Sequence, residues 1–219
     1  MQVIIIGLGQ FGMALARSMA HYGAEVIAVD ASEEKVNQAA EFVSEAVRLD
    51  AMDEMALASL APERRDLCVC GIGEASREGS IIATALLRQL GAQRVVARAI
   101  DDLHARILRL VGAHEVVSPE KAFGERLAMR LVHRRIRDVL PLGSDVVITE
   151  MDLPSTFVGH SISELSLRRR YGVTVMAVRR IEDGEVRVTL PDPEAPLSEG
   201  DVLLVVSTPE AARRLDERV

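Results

Sequence analysis

The run Val3-Ile4-Ile5-Ile6 passes without a break into Gly7-Leu8-Gly9-Gln10-Phe11-Gly12, and the two together leave the chain few ways to fold. Consecutive β-branched residues suit a short strand buried on both faces. A GxGxxG turn that follows such a strand and opens a helix is built to receive phosphates. Gly7 permits the tight turn, Gly9 lets a diphosphate approach the backbone, and Gly12 lets helix and sheet pack closely. The glycine pattern is weak by itself. It gains weight from Asp30, at the end of the next strand-like run, where a carboxylate accepts from ribose hydroxyls and repels a 2'-phosphate, which disfavours NADP.

The same period continues. Short β-branched or apolar runs at 3–6, 25–29, 46–49, 67–70, 94–97 and 115–117 alternate with segments whose apolar residues repeat on one helical face. Met13, Leu15, Ala16 and Met19 line one face, Val36, Ala39 and Ala40 another, Ile81, Ala85 and Leu90 a third, and Leu103, Ile107 and Val111 a fourth. Repeated alternation of this kind predicts an α/β fold, a Rossmann-like doubly wound parallel sheet. After Ser118-Pro119 the pattern predicts one long crossover helix from 120 to about 139. In it Phe123, Leu127 and Leu131 form one stripe and Ala128, Val132 and Ile136 a second. Two stripes are wider than one sheet requires, so a second subunit or a second domain of the same chain would cover the rest.

Pro141-Leu142-Gly143-Ser144 reads as the boundary, giving domains at 1–140 and 141–219. The second domain reads as a small α+β unit: strands at 145–151, 174–179, 185–188 and 201–206, a short helix at 163–169 and a last helix from Pro209. Glu182-Asp183-Gly184 marks a hairpin and Ser198-Glu199-Gly200-Asp201 a tight turn. A core this small is marginal alone and calls for a partner copy.

Composition excludes several classes. A net charge of -7 argues against nucleic-acid binding, which rests on basic surface. No apolar run reaches the length of a membrane span, and the N-terminus enters the first strand with no export leader, so a cytoplasmic location is expected. Cys68 and Cys70 alternate along one strand and read as buried thiols.

Ligand contacts are expected at the carboxyl ends of the strands. Asp50 follows the third strand and is placed to reach an adenine edge; Gly73 follows the fourth, and Arg98 ends the fifth as either a phosphate contact or a surface guanidinium. Glu120, beside Pro119, reads as an acid in a first helical turn. Histidines His21, His104, His114, His133 and His160 are scattered, without metal-ligand spacing, and read as mostly surface or partly packed. A small NAD-dependent oxidoreductase is the alternative function; it lacks a visible substrate domain and candidate acid/base groups.

From Val3 to about Val206 the chain resembles the RCK/KTN regulators of potassium transport, of the TrkA and KtrA type. The likeness rests on Ile6-Gly7-Leu8-Gly9-Gln10-Phe11-Gly12, Val26-Ile27-Ala28-Val29-Asp30, Asp50-Ala51, Gly112-Ala113, Val117-Ser118-Pro119-Glu120-Lys121, Leu165-Ser166-Leu167-Arg168, Tyr171-Gly172 and Gly200-Asp201-Val202-Leu203-Leu204-Val205-Val206. The resemblance implies a non-enzymatic regulatory subunit that binds NAD(H) or an adenine nucleotide (ADP or ATP) at Gly7, Gly9, Gln10, Phe11, Gly12, Asp30, Asp50, Gly73, Arg98 and Glu120. It implies dimers assembled into a ring, octameric in the family, held to the inner membrane face by a Trk/Ktr-type potassium transporter. Glu120 would approach the terminal phosphates or a divalent cation. Many relatives have an arginine that helps recognise the ATP γ-phosphate where this chain has Gln10, which favours NAD(H) or a diphosphate nucleotide. The second domain resembles TrkA-C, which in some relatives binds cyclic di-AMP between two copies; Ile162, Leu165, Arg168 and Pro191 match that cleft. Relatives often carry histidine where Arg179 and Arg180 stand, and a plain dimerisation domain is the other reading.

Overall fold

A computed structural model of the chain describes residues 1–143, 145–182 and 184–218, with the side chains of Ala75, Glu182 and Arg218 set aside. Ser144 of the expected boundary segment and Asp183 of the expected hairpin loop lie outside the described residues. The chain forms two compact units, Met1–Lys121 and Ala122–Val219.

In the first unit, β1 (Gln2–Ile6), β2 (Glu25–Asp30), β3 (Glu45–Arg48), β4 (Leu67–Cys70), β5 (Val95–Arg98) and β6 (Glu115–Val117) form one parallel sheet in the order β3-β2-β1-β4-β5-β6. Val3, Ile4, Ile5 and Ile6 are all buried because β1 is central and helices cover both faces. Ile4 and Ile6 join Cys68, Cys70, Val95 and Ala97 in one core; Val3 and Ile5 join Val26, Ala28, Leu67 and Val69 in the other. Each of the buried Val, Leu and Ile side chains contributes about 1.5–3 kcal/mol.

Helices α1 (Gln10–His21) and α2 (Glu33–Ala40) cover the second core through Ala16, Val36 and Ala39. On the opposite face α3 (Glu54–Ala58), α4 (Arg77–Gln89) and α5 (Asp102–Leu110) pack Leu57, Ala83, Leu87, Ala105 and Leu108. Asp53, Ser76 and Asp101 cap α3, α4 and α5 by accepting from first-turn amides. The chain winds outward from β1 through β2 to β3, then returns to β4 on the other side of β1, which makes the β1/β4 gap the topological switch point.

The two cysteines are buried as expected, and burial pushes the Cys68 thiol up to about 12. His104 and His133 depart from the expected surface positions. His104 has no exposed surface: its Nδ1 accepts from the Ile100 amide at 3.4 Å, so Nε2 carries the proton and donates to Ser80 Oγ at 2.8 Å. Burial holds its pKa below the usual 6.5, with Arg77 adding to the depression and Asp101 opposing it. The folded protein therefore keeps His104 neutral while the unfolded chain takes up a proton near pH 6.5. This contribution to stability is complete above 6.5 and declines as pH falls below it toward the lowered folded-state value. Urea midpoints between about pH 7.5 and 5.5 should fall, and His104→Gln should flatten that slope; an equal slope in the variant would exclude His104 as its source.

The second unit begins with most of α6 (Pro119–Val132), and here the structure corrects the sequence reading. The helix stops at Val132, and Ile136–Pro141 is a strand, β7. A bulge between Ile136 and Asp138 puts the two inward residues Ile136 and Val139 three apart, which imitates a helical period. β7 pairs with β8 (Val147–Asp152), and both strands lie in the second compact unit, which starts at Ala122.

The second sheet, order β10-β9-β11-β8-β7, is antiparallel and includes β9 (Thr174–Glu182), β10 (Glu185–Thr189) and β11 (Val202–Ser207). Met151, Val178, Leu203 and Val205 pack against Leu165, Leu167, Ala211 and Leu215 from α7 (Ile162–Leu165), α8 (Leu167–Tyr171) and α9 (Pro209–Arg218). The expected single helix at 163–169 is broken at Ser166, whose φ is 47°. Ser161 and Glu164 form a capping box at α7. The expected turn before β11 closes through Asp201 N–H to Ser198 O, with the Asp201 carboxylate held by Arg180. Among the described residues no helix is long and apolar enough to cross a membrane.

Candidate functional site

A cavity of about 480 Å3 opens at the carboxyl ends of β1 to β5. Gly7 turns the chain with φ +89°, and a Cβ there would stand 2.8 Å from the Ile72 amide nitrogen. A Cβ on Gly12 would stand 1.9 Å from the Gly7 carbonyl oxygen, so this glycine is what lets α1 close on the loop. At Gly9 a Cβ would meet no protein atom within 4 Å. Gly9 is also the N-cap of α1 and offers no capping side chain, so the first-turn amides face the turn without a side-chain acceptor. An open backbone at a helix N-terminus is suited to an oxyanion.

Asp30, at the end of β2, has a side chain only 12% exposed. Its Oδ2 accepts from the Leu8 amide at 2.7 Å and from Lys35 Nζ at 3.4 Å; its Oδ1 accepts from the Ser32 amide at 2.9 Å. The carboxylate thus pins the glycine loop and the approach to α2, and still has acceptor capacity on Oδ1 for a hydroxyl. Asp50, exposed after β3, accepts from the Met52 amide. Leu49, Ala51, Met52 and Ile72 line the wall beside it and give a flat base an apolar surface.

Arg98 closes the far end. Its side chain is 15% exposed, pairs with Glu120, and holds its guanidinium carbon 5.6 Å from the Phe11 ring centroid. Gly73 leaves room for it: a Cβ there would fall 2.6 Å from Arg98 Nη1.

Of the residues expected from sequence, Gly7, Gly9, Asp30, Asp50, Gly73 and Arg98 line this cavity. Gly12 lies beneath the turn, Phe11 beside Arg98, and Glu120 on the outer side of the same guanidinium; Gln10 is exposed at the start of α1 and is not part of the lining. Sequence reasoning missed Lys35, Met52, Ser76 and Gly79, which the structure adds to the lining. Lys35 had a signal, being one of only two lysines and standing in the first turns after Asp30. Among the described residues no three His, Cys, Asp or Glu side chains cluster as a metal site, and Glu120 supplies a single, already paired carboxylate.

The second unit carries a separate hollow of about 380 Å3, lined by Thr156, Phe157, His160, Glu164, Leu165, Arg170 and Tyr171. Of the residues expected in a cyclic dinucleotide cleft, Leu165 lies there, whereas Ile162, Arg168 and Pro191 do not. The Ser161 amide holds the Glu164 carboxyl below its usual range; burial opposes this, and the neighbouring His160 adds to the depression.

Fold and site together define a two-domain protein, a Rossmann-type unit with a phosphate-ready glycine turn followed by a small antiparallel α+β unit. The TrkA-N domain family matches residues 3–119 and the TrkA-C domain family residues 146–219. Ktr system potassium uptake protein A of Vibrio alginolyticus is 34% identical over 205 residues, spanning 94% of this chain and 91% of that protein. Ktr system potassium uptake protein C of Bacillus subtilis (strain 168) is 31% identical over 215 residues, spanning 98% and 96%. The GsuK channel bound to NAD superimposes with a TM-score of 0.65 at 20% identity, covering 96% of this chain and 38% of that one, and so shares the fold. The chain belongs to the RCK/KtrA-type family of potassium-transport proteins.

Proposed function

We propose that this chain is a non-catalytic, nucleotide-sensing subunit that gates a Ktr/Trk-type potassium transporter from the cytoplasmic side. The observation that carries the reading is the pairing of an open Gly9 backbone at the α1 N-terminus with the Asp30 carboxylate across one cavity. Asp30 would accept from the ribose hydroxyls, the first-turn amides of α1 would receive the diphosphate, and Asp50 with its apolar neighbours would hold the base. NAD(H) or ADP fits this arrangement better than ATP, because Gln10 offers no positive charge for a third phosphate. The GsuK channel bound to NAD, which shares the fold, and two Ktr relatives spanning nearly the whole chain support the assignment.

In this reading residues 1–121 form the sensing domain and 122–219 the regulatory one. Copies assemble as dimers within a ring, and ligands that fit its two states unequally shift the population and act on the pore. No residue of α6 is fully buried, and Phe123 and Leu131 are exposed, which supports contact with another copy. Cyclic di-AMP at Ile162, Leu165, Arg168 and Pro191 would sit between two copies; of the four, Leu165 alone lines the hollow of a single copy.

Calorimetric titration with ATP, ADP, NAD+ and NADH, with mass measured alongside, tests the reading. Micromolar binding without turnover and with a change of assembly is expected; hydride transfer would favour the oxidoreductase. Gly9→Val should fold normally, since its Cβ meets no protein atom within 4 Å, yet lose most nucleotide affinity. Normal binding by that variant would reject the placement of the phosphates.

A further inference from the structure

Among the described residues Arg126 and Arg180 present one edge of the guanidinium, Nε with Nη2, to a carboxylate, and Arg98 presents the same edge incompletely. Arg126 gives both nitrogens to Asp138, and Arg180 gives both to Asp201 at 3.0 and 2.8 Å. Arg98 fills only half of the edge. Its Nη2 donates to Glu120 Oε1, while its Nε, shielded from solvent, has no hydrogen-bond partner.

A charged group with a buried, unanswered N–H is held in a costlier state than one fully bonded. What completes this edge is a second oxygen on the same anion, the geometry that phosphates and carboxylates offer bidentately. Arg98 lies on the wall of the cavity, seated against Gly73 and near Phe11. Its present partner is the weaker claimant, because the Glu120 side chain is 63% exposed and its attraction is screened by water.

We propose that Arg98 is an anion-exchange latch: phosphate oxygens of a nucleotide in the cavity take the whole Nε–Nη2 edge and release Glu120 from it. The proposal rests on the nucleotide reading above and specifies how occupancy leaves the cavity. Glu120 is the second residue of α6, the helix along which the chain passes from the first unit into the second. A freed carboxylate there is still favoured by the helix N-terminus, so release carries little penalty. The output is a change of charge and tether at the first turn of α6.

The test uses the full chain and two probes, ADP and adenosine, titrated calorimetrically into wild type, Glu120→Gln and Arg98→Lys, with thermal melts to establish folding. Glu120→Gln should bind ADP about three- to fivefold more tightly than wild type, because the competing carboxylate is gone. Arg98→Lys should bind ADP about tenfold more weakly, because an ammonium offers no two-nitrogen edge. Adenosine, lacking phosphate, should not distinguish the three. If ADP binds wild type but Glu120→Gln binds it equally or more weakly, the latch is overturned while the nucleotide reading stands. If neither probe binds wild type, the nucleotide reading falls and takes the latch with it.

Discussion

Alanine in place of Gly12 is expected to destabilise the first unit by about 3 kcal/mol or more. The added carbon would sit 1.9 Å from the Gly7 carbonyl oxygen, and both clashing partners are backbone. Gly7 has little freedom to retreat, since its φ of +89° and its closeness to Ile72 fix the turn. Relief would have to come from lifting α1 off the sheet, which withdraws Ala16 and Met13 from the core around Val3 and Ile5. Urea unfolding measures this directly. Gly124→Ala in α6 is the control: a Cβ there meets nothing within 4 Å, and a mid-helix Gly→Ala exchange should be neutral or stabilising by up to about 1 kcal/mol. A Gly12→Ala protein as stable as wild type would mean that the close approach of α1 to the loop is not as described.

The second large effect is on Asp30. Asp30→Ala removes the acceptor of two backbone amides, Leu8 and Ser32, as well as the expected ribose acceptor. Each amide left unanswered costs about 1–3 kcal/mol, and hydrogen bonds from ligand to a charged group are worth about 1.5–3 kcal/mol. The variant should therefore melt earlier and bind ADP or NAD+ more weakly by at least about tenfold. Asp30→Asn separates the two effects, because its amide oxygen still accepts from one of the backbone amides while the charge is lost. Unchanged affinity in Asp30→Ala would remove the ribose role.

How much of this was legible in the sequence depended on distance along the chain. The β1 strand, the glycine turn and Asp30 follow one another locally, and each carries its own chemical signature. The strand at 136–141 was not legible, because a bulge set Ile136 and Val139 at a spacing that strands normally lack. His104 was not singled out among the scattered histidines, although it shares a helical face with Leu108 and both are buried. Arg98 and Glu120 were each noticed separately. Their pairing, and the unfilled half of the guanidinium edge, arise only when β5 and the start of α6 are brought together. Likewise Lys35 belongs to the cavity because α2 turns back over Asp30, which tertiary structure alone decides.

The outer strands carry a consequence for how copies of this chain can meet. In the second sheet β7 is bulged and ends at Pro141, while β10 carries Glu185 and Arg187 and is followed by Pro191 and Pro193. In the first sheet the outer strands β3 and β6 have only 4 and 3 residues. Such borders discourage backbone-to-backbone stitching, the route by which sheets grow without limit. Association between copies is thereby directed to side-chain surfaces, whose strength can be adjusted one residue at a time and whose geometry can close on itself. An assembly built on such surfaces can stay finite instead of extending into a fibre.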